Sequence, residues 1–189
     1  VSSIAGNRFA FAALKDNGQV VTWGGVDPPS ATTKLYLASG VLSICSTAAA
    51  FAAVKHGGGV VTWGNAFGGG DSSTVANELA ADVMSVVGSV AAFAAVKASG
   101  CVVTWGSDFA GGDPGDIANQ LRSGVAKVVA TAGAFAALKS DGQVIVWGDA
   151  SSGGSPGPCS EQLQGGIISV VGNTSAFAAL KEEPLLPQP

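Results

Sequence analysis

The sequence predicts an all-β fold, a β-propeller built from repeats of about 42 residues. Three observations carry that expectation. The segment FAALKDNGQVVTWG from Phe11 recurs as FAAVKHGGGVVTWG from Phe51, FAAVKASGCVVTWG from Phe93 and FAALKSDGQVIVWG from Phe135. A fifth copy opens at Phe177 as FAALK, and the starts are 40, 42, 42 and 42 residues apart. A fixed period of this size marks one supersecondary unit copied side by side. Finally, each full copy holds short β-branched segments separated by Gly-containing turns and closes on Trp-Gly.

Each unit begins upstream of its Phe, with VSSIAG, VLSICS, VMSVVG, VAKVVA or IISVVG. These segments are short, β-branched and bounded by small residues, so they read as strands. Their apolar residues do not alternate cleanly, which predicts burial on both faces. FAALK is the second strand. A turn containing Gly18, Gly58, Gly100 or Gly142 then leads into the third, and Asp16-Asn17-Gly18 and Ser140-Asp141-Gly142 are hairpin chemistry because Gly accepts the positive φ required there.

After Trp-Gly the pattern changes. Asp71 precedes TVANELAAD, Asp113-Pro114 precedes GDIANQLRS, and Ser155-Pro156 precedes GPCSEQLQG. Caps of this kind, with Val75/Leu79 and Ile117/Leu121 at i,i+4 spacing, predict one to two helical turns; a short fourth strand is the alternative. The first linker, GVDPPSATTKLYLAS, departs from this form and reads as irregular. Residues 1–181 thus form one repeat domain, with units starting near 1, 41, 83, 125 and 167, and 182–189 are a Pro-rich tail. Strands this short need neighbours, and stacked blades closed by Trp23, Trp63, Trp105 and Trp147 supply them.

The pattern GV-x-x-V…AFAALK-x-DG-x-V-x-x-WG, followed by a Gly-rich loop, resembles the repeat of the regulator of chromosome condensation superfamily, in the short-repeat form seen in β-lactamase inhibitory protein II. The resemblance runs from Val1 to Lys181. The WD repeat fits less well, since Gly follows Trp each time, and Kelch repeats are longer. The resemblance implies a propeller, usually of seven blades. This chain supplies four full units and a half, which predicts an incomplete or open ring. A five-bladed closed ring is the alternative if Leu185-Leu186 act as a third strand, which Pro184 and Pro187 disfavour. An open arc would leave strand edges available for self-association.

Composition narrows the functional classes. Only 12% of residues are charged, below the ordinary quarter or so. A net charge of −4 lacks the basic stripe that nucleic acid demands. No apolar run reaches the roughly 18 residues of a membrane-spanning helix. Cys45, Cys101 and Cys159 fall at three phases of the repeat, so they read as small apolar residues rather than a disulfide framework. That leaves the compartment open, leaning intracellular. An opening at Val1 rather than Met reads as a processed chain or an excerpt.

The candidate sites follow from phase. Lys15, Lys55, Lys97, Lys139 and Lys181 end every second strand, either as a cationic band facing an acidic partner or as solvated hairpin ends. Phe67 and Phe109, in NAFGGGD and SDFAGGD, either anchor a partner or pack over their own turn. Asp71 and Asp113 either cap the connector or contact a ligand. Their GGD surroundings lack the nonapeptide period of calcium-binding repeats. His56, the sole His, occupies a turn position that varies between copies. No catalytic triad or phosphate loop can be assembled, and neither cofactor nor metal is expected.

The expected function is therefore a non-enzymatic protein-binding scaffold that docks its partner through the loops of one rim. Enzyme inhibition is one alternative, implied by the resemblance. Guanine nucleotide exchange on a small GTPase is another, although no insertion interrupts the repeats to supply a wedge.

Overall fold

In a computed structural model, described for residues 1–25 and 28–182, the chain forms five successive antiparallel sheets. The first four have three strands each: β1 (Ser3–Gly6), β2 (Ala10–Leu14) and β3 (Val20–Gly24); β4 (Val41–Ser46), β5 (Ala50–Lys55) and β6 (Val60–Gly64); β7 (Val83–Gly88), β8 (Ala92–Lys97) and β9 (Val102–Gly106); β10 (Val125–Ala130), β11 (Ala134–Lys139) and β12 (Val144–Gly148). The fifth pairs β13 (Ile167–Gly172) with β14 (Phe177–Lys181). Leu185 and Leu186, the expected poor third strand, lie outside the described residues.

Within each full blade the Phe of the second strand faces the Trp of the third across the ladder, as in Phe51↔Trp63 and Phe93↔Trp105. Their rings stack with centroids 5.2 Å apart in both pairs. The Ala residues between them hold the next sheet close. Ala12, Leu14 and Val20 of one blade pack with Phe51, Ala53 and Trp63 of the next, and equivalent cores recur along the chain.

The first strands crowd together along one side. A Cβ on Gly88 would stand 2.6 Å from the carbonyl oxygen of Ser46, and one on Gly172 would stand 2.6 Å from that of Ala130. Adjacent hairpins are also tied by backbone bonds: Arg8 N donates to Ala48 O (3.2 Å), Ala48 N to Val90 O (2.9 Å), Val90 N to Ala132 O (2.8 Å) and Ala132 N to Thr174 O (2.9 Å). At the opposite end, the N–H groups of Val41, Val83, Val125 and Ile167 reach back to Gly18, Gly58, Gly100 and Gly142. The stack is therefore held at both ends of every blade.

Two expectations change. The first strands are not buried on both faces, because the pairing register shifts at their second residue from β4 onward, between Val41 and Ser43, for example. That bulge turns Leu42, Met84 and Ile168 out to solvent. The irregular first linker instead holds the α-helix α1 (Ala31–Tyr36), capped by Ser30, whose Oγ accepts from Thr33 N at 3.0 Å. The connectors expected as helical turns are helical, of the 3-10 kind, at Ser73–Val75, Gly115–Leu121 and Gly157–Cys159, and further 3-10 turns at Ala66–Gly68, Asp108–Ala110 and Ala150–Ser152 follow Trp-Gly directly.

The tryptophans also divide. Trp63, Trp105 and Trp147 are buried between blades, whereas Trp23 is 48% exposed because no described blade precedes it.

Candidate functional site

The topology sorts the candidate residues onto opposite rims. Ala50 pairs with Gly64 at one end of a blade, while Lys55 lies at the other end of the same strand. The turns after Trp-Gly, with Phe67 and Phe109, therefore share a rim with the hairpins between first and second strands. The five lysines occupy the far rim, so the sequence-predicted residues do not form one site.

On the lysine rim, two side chains reach the connector that precedes their blade. Lys55 Nζ donates to the carbonyl of Tyr36 at 2.5 Å, and Lys97 Nζ donates to that of Glu78 at 2.6 Å. Each fastens the end of the preceding connector, a cation at the orphan carbonyls where a turn stops. Lys15 Nζ bonds Gln19 Oε1 within its own hairpin at 2.9 Å. Lys139 and Lys181 keep the same phase at the ends of β11 and β14. His56 is exposed in the neighbouring hairpin turn.

The other rim is built on anchored turns. Thr47 Oγ1 accepts from Ala50 N at 3.0 Å and donates to the carbonyl of Gly68 at 2.8 Å. Ser89 repeats this arrangement with Ala92 N (3.1 Å) and Ala110 O (2.9 Å), as does Thr131 with Ala134 N (3.0 Å) and Ser152 O (2.8 Å). These hydroxyls are buried, so each clamps the 3-10 turn of its own blade to the hairpin beneath it. Sequence reasoning missed them. The signal was a polar residue four positions before every repeat Phe: Asn7, Thr47, Ser89, Thr131 and Asn173.

On two of these clamped turns the aromatic side chain points outward. Phe67 is 86% exposed and Phe109 is 91% exposed, so neither packs over its own turn. Together with Ala66, Ser107 and Asp108 they line one shallow cleft of about 340 Å³ between adjacent blades. At the equivalent position of the next blade stands Ser151.

The carboxylates have structural partners. Asp71 Oδ1 accepts from Ser73 N at 2.9 Å, and Asp113 Oδ1 accepts from Gly115 N at 2.8 Å, each opening the connector that follows. The Ser73 amide, reinforced by its hydroxyl, holds the Asp71 carboxyl below the usual carboxylate range. The hydroxyls of Ser151 and Ser152, with the Ser151 amide, do the same for Asp149. Among the described residues no group of three or more His, Cys, Asp or Glu is placed to hold a metal ion, and no helix is long and apolar enough to cross a membrane.

No family model and no curated protein matches the sequence. Solved structures do match. Human WBSCR16 superposes with a TM-score of 0.57 at 16% identity, covering 96% of this chain and 57% of that one. The ectodomain of the Physcomitrella patens receptor kinase CR4 gives 0.58 at 16% identity, covering 97% of this chain and 48% of the other. Yeast RCC1 (Prp20), solved bound to Kap60, gives 0.53 at 13% identity over 77% of this chain and 41% of that chain. The chain thus spans about half the length of the structures it matches. The repeated three-stranded sheets, their Phe–Trp pairs and these superpositions together identify an RCC1-like repeat fold of the β-propeller type.

Proposed function

We propose that the protein is a non-enzymatic binding module that docks a protein partner on the rim carrying Phe67 and Phe109. One observation carries the reading: two large aromatic side chains stand 86% and 91% exposed, side by side on clamped turns. Leaving such rings in water costs the protein hydrophobic free energy, and rigid aromatics lose little entropy on binding. The surrounding loops add Asp71, Asp108, Asp113 and Asp149, while among the described residues Arg8 is the one basic residue in the hairpins and turns of this rim. An apolar side chain flanked by Lys or Arg is the complementary partner surface. The binding of Kap60 by the similarly folded yeast protein is compatible with this reading.

The test compares captures of a partner by the wild type, by Phe67→Ser/Phe109→Ser and by Lys55→Glu/Lys97→Glu/Lys139→Glu. Binding lost in the Phe variant and kept in the Lys variant is the expected result. Binding kept in the Phe variant, or turnover of a small substrate with no protein captured, overturns it.

A further inference from the structure

The cleft between Phe67 and Phe109 lies on the rim of the second and third blades, each of which already has a blade stacked on either side. Further units of a repeat array add at its ends, beyond the first and the fifth, and leave this rim open. The turns that carry the two rings are fastened from below by the Thr47 and Ser89 hydroxyls, so the walls of the cleft are fixed.

Asp108 stands in the same wall. It takes the first position of its 3-10 turn, where the turns of the second and fourth blades have Ala66 and Ala150. Those turns form without a carboxylate, so the fold does not call for one in the third. The other acids of the rim are engaged. Asp71 accepts from the Ser73 amide, Asp113 from the Gly115 amide, and Asp149 from the Ser151 amide and the hydroxyls of Ser151 and Ser152. Among the described residues the Asp108 carboxylate has neither a hydrogen-bond nor an ion-pair partner. One cleft therefore combines two exposed rings with a free anion. The next junction lacks that combination, because Ser151 stands where the second blade has Phe67 and the third has Phe109.

A cation over an aromatic face is attracted by the ring quadrupole, and a carboxylate in the same place strengthens its hold. Guanidinium suits both contacts. It is planar, more weakly hydrated than ammonium, stacks flat on a ring and meets a carboxylate through two parallel N–H donors. An aliphatic side chain would fill the cleft but would leave Asp108 desolvated without a partner. Building on the Phe67–Phe109 rim as the docking face, we propose that this cleft receives one arginine side chain of the partner protein. Its guanidinium lies against the two rings and donates to the Asp108 carboxylate. Asp108 sets the specificity, and the rings supply the contact area.

The probe is a phage-displayed library of random linear heptapeptides selected on the full chain, with Phe67→Ser/Phe109→Ser as the counter-selection target. The expected outcome is a set of peptides sharing an arginine at one position. A synthetic peptide from that set should lose at least about tenfold in affinity when its arginine becomes citrulline, which keeps the shape and removes the charge. A comparable loss is expected against Asp108→Asn, an exposed position whose variant should stay folded by circular dichroism. Asp113→Asn, which keeps its acceptor for the Gly115 amide, should stay within about twofold of the wild type. Peptides that need the two Phe residues but share no arginine overturn the inference and leave the docking rim standing. So do peptides that share a lysine instead, or that bind Asp108→Asn as tightly as the wild type. If no peptide distinguishes the wild type from the Phe variant, the docking rim and the arginine cleft fall together.

Discussion

Trp105 and Gly69 are joined across a blade junction: the indole Nε1–H meets the glycine carbonyl at 2.9 Å, 36 residues away in sequence. The bond is buried, and the ring is 3% exposed against a sheet made largely of Ala. Trp105→Ala should therefore cost roughly 3–5 kcal/mol, and Trp105→Phe roughly 1–3 kcal/mol for the stranded carbonyl and lost volume. Trp23→Ala should cost about half as much as Trp105→Ala, roughly 2 kcal/mol, because half of that ring already faces water. Urea unfolding of the three variants measures the ranking.

Gly69 itself tests how tightly the blades meet. Its φ is +90°, and an added Cβ would press on Phe93 at 2.7 Å. Gly57 has a similar φ of +83° with nothing within 4 Å of a Cβ. Gly57→Ala should cost about 1 kcal/mol, the backbone strain alone. Gly69→Ala should cost at least twice that, since the ring it meets has no room to move. Equal thermal shifts for the two variants would contradict the packing described.

Thr47 separates the clamp from the aromatic it presents. Thr47→Val keeps the shape but leaves the Gly68 carbonyl and Ala50 amide without their hydroxyl, at about 1–3 kcal/mol. Hydrogen exchange should rise in residues 65–70 and stay unchanged in the equivalent turn at 107–112, where Ser89 is intact.

Acid should loosen the connectors late. The carboxyls of Asp71 and Asp149 are held below their ordinary range by amide and hydroxyl donors. Groups depressed in the folded state stabilise it fully above their unfolded pKa of about 3.9, and that contribution is lost as pH falls through the lower folded value. Stability should therefore be insensitive to these groups from pH 7 to 5 and decline below about pH 4. The decline should be shallower in Asp71→Asn/Asp149→Asn. Thermal melts across this range give the measurement.

The three thiols should react in order of access. Cys159 is exposed, whereas burial pushes the Cys45 thiol above its ordinary pKa. Brief iodoacetamide treatment near pH 7.5 should label Cys159 first and Cys45 last, as read by peptide mass spectrometry.

The repeat by itself determined the strands, the turns and the phase of the Phe, Trp and Lys that recur in each copy, because period and β-branched patterning are local and each copy restates them. It also carried the anchoring hydroxyls, legible as a polar residue four before each Phe, though nothing in a linear pattern says that Thr47 bonds Gly68. Only the tertiary structure decided where those residues go. Antiparallel pairing sends the lysines and the exposed phenylalanines to opposite rims, a bulge turns Leu42 and Met84 outward, and stacking buries three tryptophans while leaving Trp23 half in solvent. A side chain's role here depends on which blade lies against it, and that contact is set by packing between units rather than by the sequence within one.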